Sequence, residues 1–359
     1  MLPERDFPGA PSVPTPEIFM SVPHRKISET GPDISLFSLG SWHTYDRMDF
    51  DEAVHMLRYA IDHGINLFDV AVYGRYAQKF PLTNPRLGRT WTDLVFTQAM
   101  RMAGVPRSSY MVAEKIWLWA YPRLSIEEQL DHALLRQGTD YADFIMLGDM
   151  EDKFDFNVIV NEVGALIAKG KVRWWGVNNW SVHELRAAYD AAVANNQPPP
   201  QLAQLKYNVS RRTKPEDRRW LELFAQTGIG LQASDIFESG YLAGKTEVTR
   251  GVARDPGDIR PLIQEASPRF TALAKDLGAT PAQLSIAFCL THPSIANVLF
   301  GCTSQAQLEE NLAATALAQR YGSEIRKLVE DFWFDQGRID PESSWSSAPM
   351  ELPPAMAAR

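Results

Sequence analysis

The chain has 359 residues, a formal net charge of −8, 45% hydrophobic and 22% charged residues, the balance of a soluble globular protein. Acidic and basic residues are interspersed, so nucleic acid and anionic membrane surfaces, which need basic patches, are excluded as partners. The two cysteines, Cys289 and Cys302, make neither a disulfide framework nor a zinc site, and no run approaches the ~20 apolar residues of a membrane span.

Residues 1–22, punctuated by Pro3, Pro8, Pro11, Pro14 and Pro16, read as an arm lying on the body or disordered. No basic segment with an apolar core follows Met1, so no signal peptide is expected and the expected compartment is the reducing cytoplasm. The body runs over 23–340. Leu36-Phe37-Ser38-Leu39 is strand-like, and Asp49 caps a helix reaching about His63. Leu67 to Val70 is the next apolar run, and 85–103 reads as helix. Met111-Val112-Ala113 is a strand, Ser125 with Glu128 is a capping box for a helix reaching Gln137, and Phe144-Ile145-Met146-Leu147 is a strand. Further strands are expected near 174–177, 202–205, 230–232 and 298–300. Thr280-Pro281 opens a late helix as N-cap and first helical residue. Residues 341–359 read as a tail like the N-terminal arm. Eight short apolar strands separated by helices favour a closed α/β architecture, the (β/α)8 TIM barrel, over a doubly wound open sheet.

Gly228-Ile229-Gly230-Leu231-Gln232-Ala233 matches the string of a dinucleotide-binding turn. Such a turn follows a strand and opens a helix, whereas this one follows a helix and runs into a strand. A glycine ending the helix over about 216–226 is the better reading.

The chemistry concentrates in Gly64-Ile65-Asn66-Leu67-Phe68-Asp69-Val70-Ala71-Val72-Tyr73-Gly74 and in Glu114-Lys115. An Asp ending a buried strand, a Tyr shortly after it and a Lys ending the next strand form a proton-delivery constellation. A phenol ordinarily titrates near ~10 and needs help to release its proton at neutral pH. Lys115 supplies the positive charge that favours phenolate at Tyr73, and Asp69 fixes and neutralises the lysine. The bland alternative is a structural Asp69–Lys115 ion pair. Tyr76 is the alternative acid.

Taken in order, these segments resemble the aldo-keto reductases over about 24–315. Arg25 to Gly31 is similar to the family's N-terminal hairpin and Gly40-Ser41-Trp42 to its first barrel loop. Gly64 to Gly74 resembles its tyrosine segment, Ala113-Glu114-Lys115 its lysine segment and Thr139-Asp140-Tyr141-Ala142-Asp143 the turn before its fourth strand. Gly170-Lys171-Val172-Arg173 with Gly176-Val177-Asn178-Asn179 looks like the fifth strand. Gln204 with Tyr207-Asn208, the run from Ser239 to Lys245, and Gly301 through Asn311 complete the series. The resemblance implies a nicotinamide dinucleotide, usually NADP(H), lying across the C-terminal strand ends. Gln204, Asn178 and Asn179 would hold its carboxamide, and the Lys245 segment would close over its pyrophosphate. Gly301, Thr303, Gln307, Glu310 and Asn311 would cradle the adenosine at a helix N-terminus. Ser41, Trp42, Asp69, Ser234, Asp235 and Phe237 would line the same groove, with Trp42 also a substrate wall.

Several residues depart from that pattern. The family's fourth strand normally ends in His, and alignment puts Gly148 there, which leaves space beside the acceptor, with Asp149 next. His43 could approach from another side. The Asp69–Tyr73 gap is four residues where five are usual, and misplacing a reacting group by ~1 Å can cost 10²-fold. Ser234 stands where an aromatic residue often stacks on nicotinamide, and Asp235 sets a carboxylate beside pyrophosphate. Gly301 and Gln307 occupy positions that carry Lys or Arg in many NADP-preferring members, leaving Lys245, Arg250 and Arg254 for the 2′-phosphate. NADP(H) is favoured over NAD(H) on balance.

Trp117 and Trp119 stand at period-2 spacing after Lys115. They form either a substrate wall with Trp42 and Trp180, implying a bulky apolar substrate, or packing between loops. The remaining histidines and both cysteines read as structural. The leading functional reading is an NAD(P)H-dependent reductase of a carbonyl with Tyr73 as proton donor. The alternative is a barrel that has lost redox chemistry and works as a lyase, dehydratase, isomerase or ligand-sensing subunit.

Overall fold

Strand β1 (His24–Lys26) pairs antiparallel with β2 (Asp33–Ser35) in a small hairpin. Eight parallel strands then follow, β3 (Phe37–Gly40), β4 (Leu67–Val70), β5 (Met111–Trp117), β6 (Ala142–Gly148), β7 (Val172–Asn178), β8 (Leu202–Lys206), β9 (Gly230–Ser234) and β10 (Ile295–Phe300). They pair in sequence order and β10 closes on β3, so the barrel predicted from eight apolar runs is the architecture. The computed structural model describes residues 21–28, 31–73, 90–148, 150, 153–248 and 254–344.

Helices alternate with the strands: α1 (Phe50–Asp62), α2 (Thr92–Met102), α3 (Ile126–Gln137), α4 (Phe156–Ala168), α5 (Val182–Ala194) and α6 (Arg218–Thr227) up to β9. Then come α7 (Arg260–Asp276), α8 (Pro281–Cys289), α9 (Gln305–Leu312), α10 (Ala314–Tyr321) and α11 (Glu324–Leu328). Their starts follow local chemistry. Ser125–Glu128 is a reciprocal capping box as the sequence indicates, Thr280 is the expected N-cap and forms a box with Gln283 as well, and Ser181–Glu184 is a third. The expected 85–103 helix begins at Thr92; residues 85–89 lie outside the described set. Gly228 ends α6 at φ 71° and Gly230 opens β9, so the glycine string is a helix stop and not a phosphate loop.

A strand covered on both faces is buried along its whole length, as β6 is, with Asp143 its one charged residue, paired to Arg107 and Arg173. The hairpin seats Ile34 against Leu67, Ala113, Phe144, Met146, Leu202 and Ala296, an apolar floor at the N-terminal end of the barrel. Side chains further along the same inward faces are polar, and that change of character positions the site.

The start of the C-terminal tail is held on the body. Trp220 Nε1 donates to the Pro341 carbonyl at 3.1 Å and Lys214 Nζ to that of Ser343 at 2.8 Å. Glu342 pairs with both His183 and Arg219. Lys214 is wholly buried, and burial pushes its ammonium well below its usual range. Both cysteines are buried free thiols. Burial pushes Cys302 up to about 12 and Cys289 up as well, which keeps both unreactive. His292 is buried against the Pro215 carbonyl, and burial lowers its pKa. Among the described residues no helix is long and apolar enough to cross a membrane.

Gly176 carries a tight strand-to-strand approach. A Cβ there would meet the Leu202 carbonyl at 2.5 Å and the Met146 Sδ at 3.0 Å. Gly176→Ala is expected to destabilise the barrel by ~1–3 kcal/mol, seen as a lowered urea midpoint. An unchanged midpoint would show that β7 and β8 separate freely.

Candidate active site

Asp69 on β4 stands opposite Ala113 of β5, and Lys115 follows two residues later on the same inward face. Lys115 Nζ lies 3.4 Å from Asp69 Oδ1 and donates to Gln204 Oε1 at 3.0 Å. Gln204 Nε2 donates to Asp69 Oδ2 at 2.7 Å and to Gln232 Oε1 at 2.7 Å, while its oxygen also accepts from Asn178 Nδ2 at 2.7 Å. A carboxamide has two N–H groups and two lone pairs, and Gln204 spends all four inside the protein. The residue expected to grip a cofactor carboxamide instead ties the Asp69–Lys115 pair together.

Tyr73 is half-buried between two indoles, its ring centroid 6.4 Å from Trp42 and 5.8 Å from Trp117. Side chains fix the segment leading to it. Ser41 Oγ accepts from the Ala71 amide at 3.3 Å, and Trp117 Nε1 donates to the Val72 carbonyl at 3.2 Å. Trp117 is itself held by Gln129 of α3, which accepts from its amide at 2.9 Å and donates to its carbonyl at 3.2 Å. This brace runs from helix to tyrosine across the shortened Asp69–Tyr73 loop. Behind it Glu114 is buried. Burial and then Asp93 push its carboxyl well above the usual range, against the opposing Gln137 hydrogen bond at 2.6 Å and the Val72 amide. Tyr76, Asp149 and Arg250 lie outside the described residues.

The aromatic wall divides. Trp117 and Trp119 lie side by side at 6.3 Å, both partly exposed, and Trp42 is partly exposed beside them. Trp180 is 0% exposed and packs on Phe156 at 5.6 Å. It is core and lines no open wall, a correction that follows from its burial against Phe156 at the start of α4. Ser41 is likewise fully buried and supports the tyrosine segment without opening on the groove. His43 is buried, its ring 4.8 Å from that of Trp42. The space left by Gly148 is occupied. A Cβ there would sit 3.1 Å from Asn178 Oδ1 and 3.4 Å from Asn178 Cβ.

At the ends of β8 and β9 lies a second charge group that sequence reasoning missed. Lys206 Nζ is 2.7 Å from Asp235 Oδ2 and donates to the Arg254 carbonyl at 2.6 Å, so Asp235 does not face the groove uncompensated. Arg211 pairs with Glu238 at 2.5 Å and with Asp255, and Arg260 lies 3.7 Å from Glu238. Burial alone would raise the Glu238 carboxyl, but Arg211, Lys206 and Arg260 hold it down at about 2. Ser234 and Phe237 are partly exposed next to this group, the Phe237 ring 6.2 Å from Phe300.

Residues 37–330 match the sequence model of the Aldo/keto reductase family. The chain belongs to that family. It is 29% identical over 316 residues to an Arabidopsis thaliana protein named "Probable voltage-gated potassium channel subunit beta", covering 81% of this chain and 90% of the relative. A Schizosaccharomyces pombe protein named "Putative voltage-gated potassium channel subunit beta" is 28% identical over 337 residues, covering 87% and 93%. A solved structure described as "Crystal structure of a putative 2,5-diketo-D-gluconic acid reductase B" superposes with a TM-score of 0.65 at 19% identity, covering 92% of this chain and 97% of that one. That last likeness is one of fold.

The residues read from sequence for the adenosine end lie at the start of α9 and along its first turns. Ser304 caps α9, and Gln307 Oε1 accepts from the Thr303 amide at 2.9 Å. Gly301, Thr303, Gln307 and Glu310 are exposed and Asn311 is buried behind them. The Lys245 stem lies across Gly240, where a Cβ would fall 2.6 Å from Lys245 Cδ at φ 119°; only glycine fits there. The residues that sequence reasoning overlooked, Gln129, Lys206, Gln232 and Asn297, are polar side chains in apolar surroundings. Gln232 and Asn297 carried a usable signal, since each interrupts an apolar strand at an inward position.

Two outcomes follow. Trp117→Phe keeps the ring but loses the indole N–H, and turnover is expected to fall ~10-fold with dinucleotide affinity unchanged; equal turnover would mean Tyr73 needs no brace. The carboxylate of Glu238 is depressed on folding, so its contribution is present above the ordinary value of 4.5 and lost as pH falls toward about 2. Melting curves of wild type and Glu238→Gln should therefore converge across that window, and a constant gap would contradict the assignment.

Proposed function

We propose that the chain is a nicotinamide-dinucleotide-dependent oxidoreductase that reduces the carbonyl of a bulky, apolar aldehyde or ketone. The observation that supports this best is the Lys115 ammonium, held by Asp69 and Gln204 at the C-terminal strand ends, with Tyr73 framed by Trp42 and Trp117 on the segment that leaves β4, the strand of Asp69. The residues present suit the dinucleotide. Asn179 Oδ1 is buried with no hydrogen-bond partner among the described residues, an acceptor suited to a carboxamide N–H. Thr303, Gln307 and Asn311 would take the adenosine end. When bound, the reduced dinucleotide supplies the hydride to the acceptor carbon. Tyr73 gives the phenol proton to the oxygen, and Lys115 stabilises the phenolate left behind. Trp42, Trp117 and Trp119 exclude water and favour an apolar acceptor.

NADP(H) is favoured over NAD(H), with Lys245 and Arg254 as the cations for a 2′-phosphate. Two buried free thiols suit a reducing cytoplasm.

A second reading has one specific support, the two relatives named as channel beta subunits over more than four-fifths of this chain. In it the same groove binds a dinucleotide and the barrel reports occupancy to a partner.

Titration with NADPH and NADH, followed by quenching of tryptophan fluorescence, is expected to give micromolar binding, tighter for NADPH. Absence of binding up to millimolar would remove both readings. Tyr73→Phe is expected to lower reduction of bulky aldehydes and ketones by at least ~10²-fold while binding persists. Unchanged turnover would exclude Tyr73 as the acid, and binding without any turnover in the wild type would favour the sensor.

A further inference from the structure

Beneath Lys115 a chain of side-chain amides crosses the barrel interior. Asn297 Nδ2 donates to the Ser35 backbone carbonyl at 2.7 Å. Asn297 Oδ1 accepts from Gln232 Nε2 at 2.8 Å and from Ser38 Oγ at 2.5 Å. Gln232 Oε1 accepts from Gln204 Nε2 at 2.7 Å, and Gln204 Oε1 accepts from Lys115 Nζ at 3.0 Å. Ser38, Gln232 and Asn297 are 0% exposed and Gln204 is 2% exposed, so water does not replace any link.

Such a chain has a direction. A backbone carbonyl only accepts, so the amide nitrogen of Asn297 must face Ser35 and its oxygen must face Gln232. Gln232 must then turn its nitrogen down and its oxygen up, which forces Gln204 to turn its nitrogen toward Gln232. The Gln204 oxygen is left pointing at Lys115, an ammonium that only donates. Both ends demand the same orientation, and reversing any one amide sets donor against donor or acceptor against acceptor in a dry interior, where unmade bonds cost most.

We infer that Gln232 and Asn297 are positioning residues of the reaction centre. They hold the Gln204 carboxamide in the one orientation that receives Lys115 and donates to Asp69, and so fix where the ammonium stands against Asp69. This rests on the reading of Lys115 and Tyr73 as the proton-delivery pair.

The test uses full-length protein labelled with 15N-glutamine, the Gln204 side-chain resonance being identified by its loss in Gln204→Met. In the wild type both Gln204 amide protons should exchange slowly with solvent. Gln232→Met is expected to speed that exchange at least ~10-fold and to lower kcat ~10-fold, with KM for the dinucleotide within about twofold. Gln232→Glu, accepting from Gln204 and in its protonated form donating to Asn297, should restore both readouts. Should Gln232→Met not fold, Gln232→Asn, one methylene shorter, gives the same reading. Unchanged exchange in the broken chain overturns the inference, as does loss of kcat that Gln232→Glu does not restore. Altered exchange with unaltered kcat also overturns it, provided Tyr73→Phe abolishes turnover. If Tyr73→Phe is silent, the proton-donor reading has failed and the exchange data alone decide whether the amide chain orients Gln204.

Discussion

An ammonium placed inside a barrel of apolar strands is the constraint on which the rest of this structure depends. Burying an uncompensated charge costs several kcal/mol, and a buried pair holds only where its remaining hydrogen-bonding capacity is met. Lys115 meets that demand with Asp69 at 3.4 Å and Gln204 at 3.0 Å. Asp69 must then be bonded through its second oxygen, which Gln204 supplies, and Gln204 must be satisfied in turn by Asn178 and Gln232. One charge thus recruits polar residues from four other strands. The apolar floor around Ile34 and Phe144 shuts water out below them, which makes each bond matter more.

A similar logic operates at the ends of β8 and β9. Arg211, Glu238 and Asp255 are all buried, and the long connection carrying Arg211, Arg212 and Lys214 holds two separate pieces of chain to the barrel. Arg211 donates to the Pro256 carbonyl at 2.8 Å, and Arg212 reaches Glu330 at 2.9 Å. Asp335 accepts from the Arg212 amide at 3.1 Å and from Thr213 Oγ1 at 2.8 Å. These buried cations therefore act as fasteners between the barrel and the chain segments that lie on it.

Much of the fold was legible because its strands are buried on both faces and its helices are capped by short local signals. Leu67 to Val70 and Phe144 to Leu147 could be nothing but interior strands, and Ser125 with Glu128 marks a helix start whatever surrounds it. The ends of those strands also carried the Asp69–Lys115 pair, which the barrel brings to 3.4 Å. Partner choice was not legible. Asp235 looked like a repulsive charge because Lys206, on the neighbouring strand, pairs with it only after the sheet closes. Trp180 looked like Trp117, yet one enters the core and the other stays at the rim. Gln204 was assigned by its place in a motif, while its role follows from Gln232 and Asn297, which lie in no motif.

Gly148 shows how a missing side chain and a neighbouring one must be read together. Its vacant Cβ position lies 3.1 Å from Asn178 Oδ1, so the ground a histidine would cover is held by a carboxamide. One Asn178 N–H goes to Gln204, leaving the oxygen and a second N–H. An amide can donate a hydrogen bond to a developing oxyanion but keeps its proton, whereas an imidazole can share one. The atom turned toward that position is the oxygen, an acceptor, so Asn178 neither shares a proton nor donates to an oxyanion there. In the proposed reaction the whole burden of delivering the proton falls on Tyr73, which explains why its approach is braced from Ser41, Trp117 and Gln129 in a loop one residue shorter than usual.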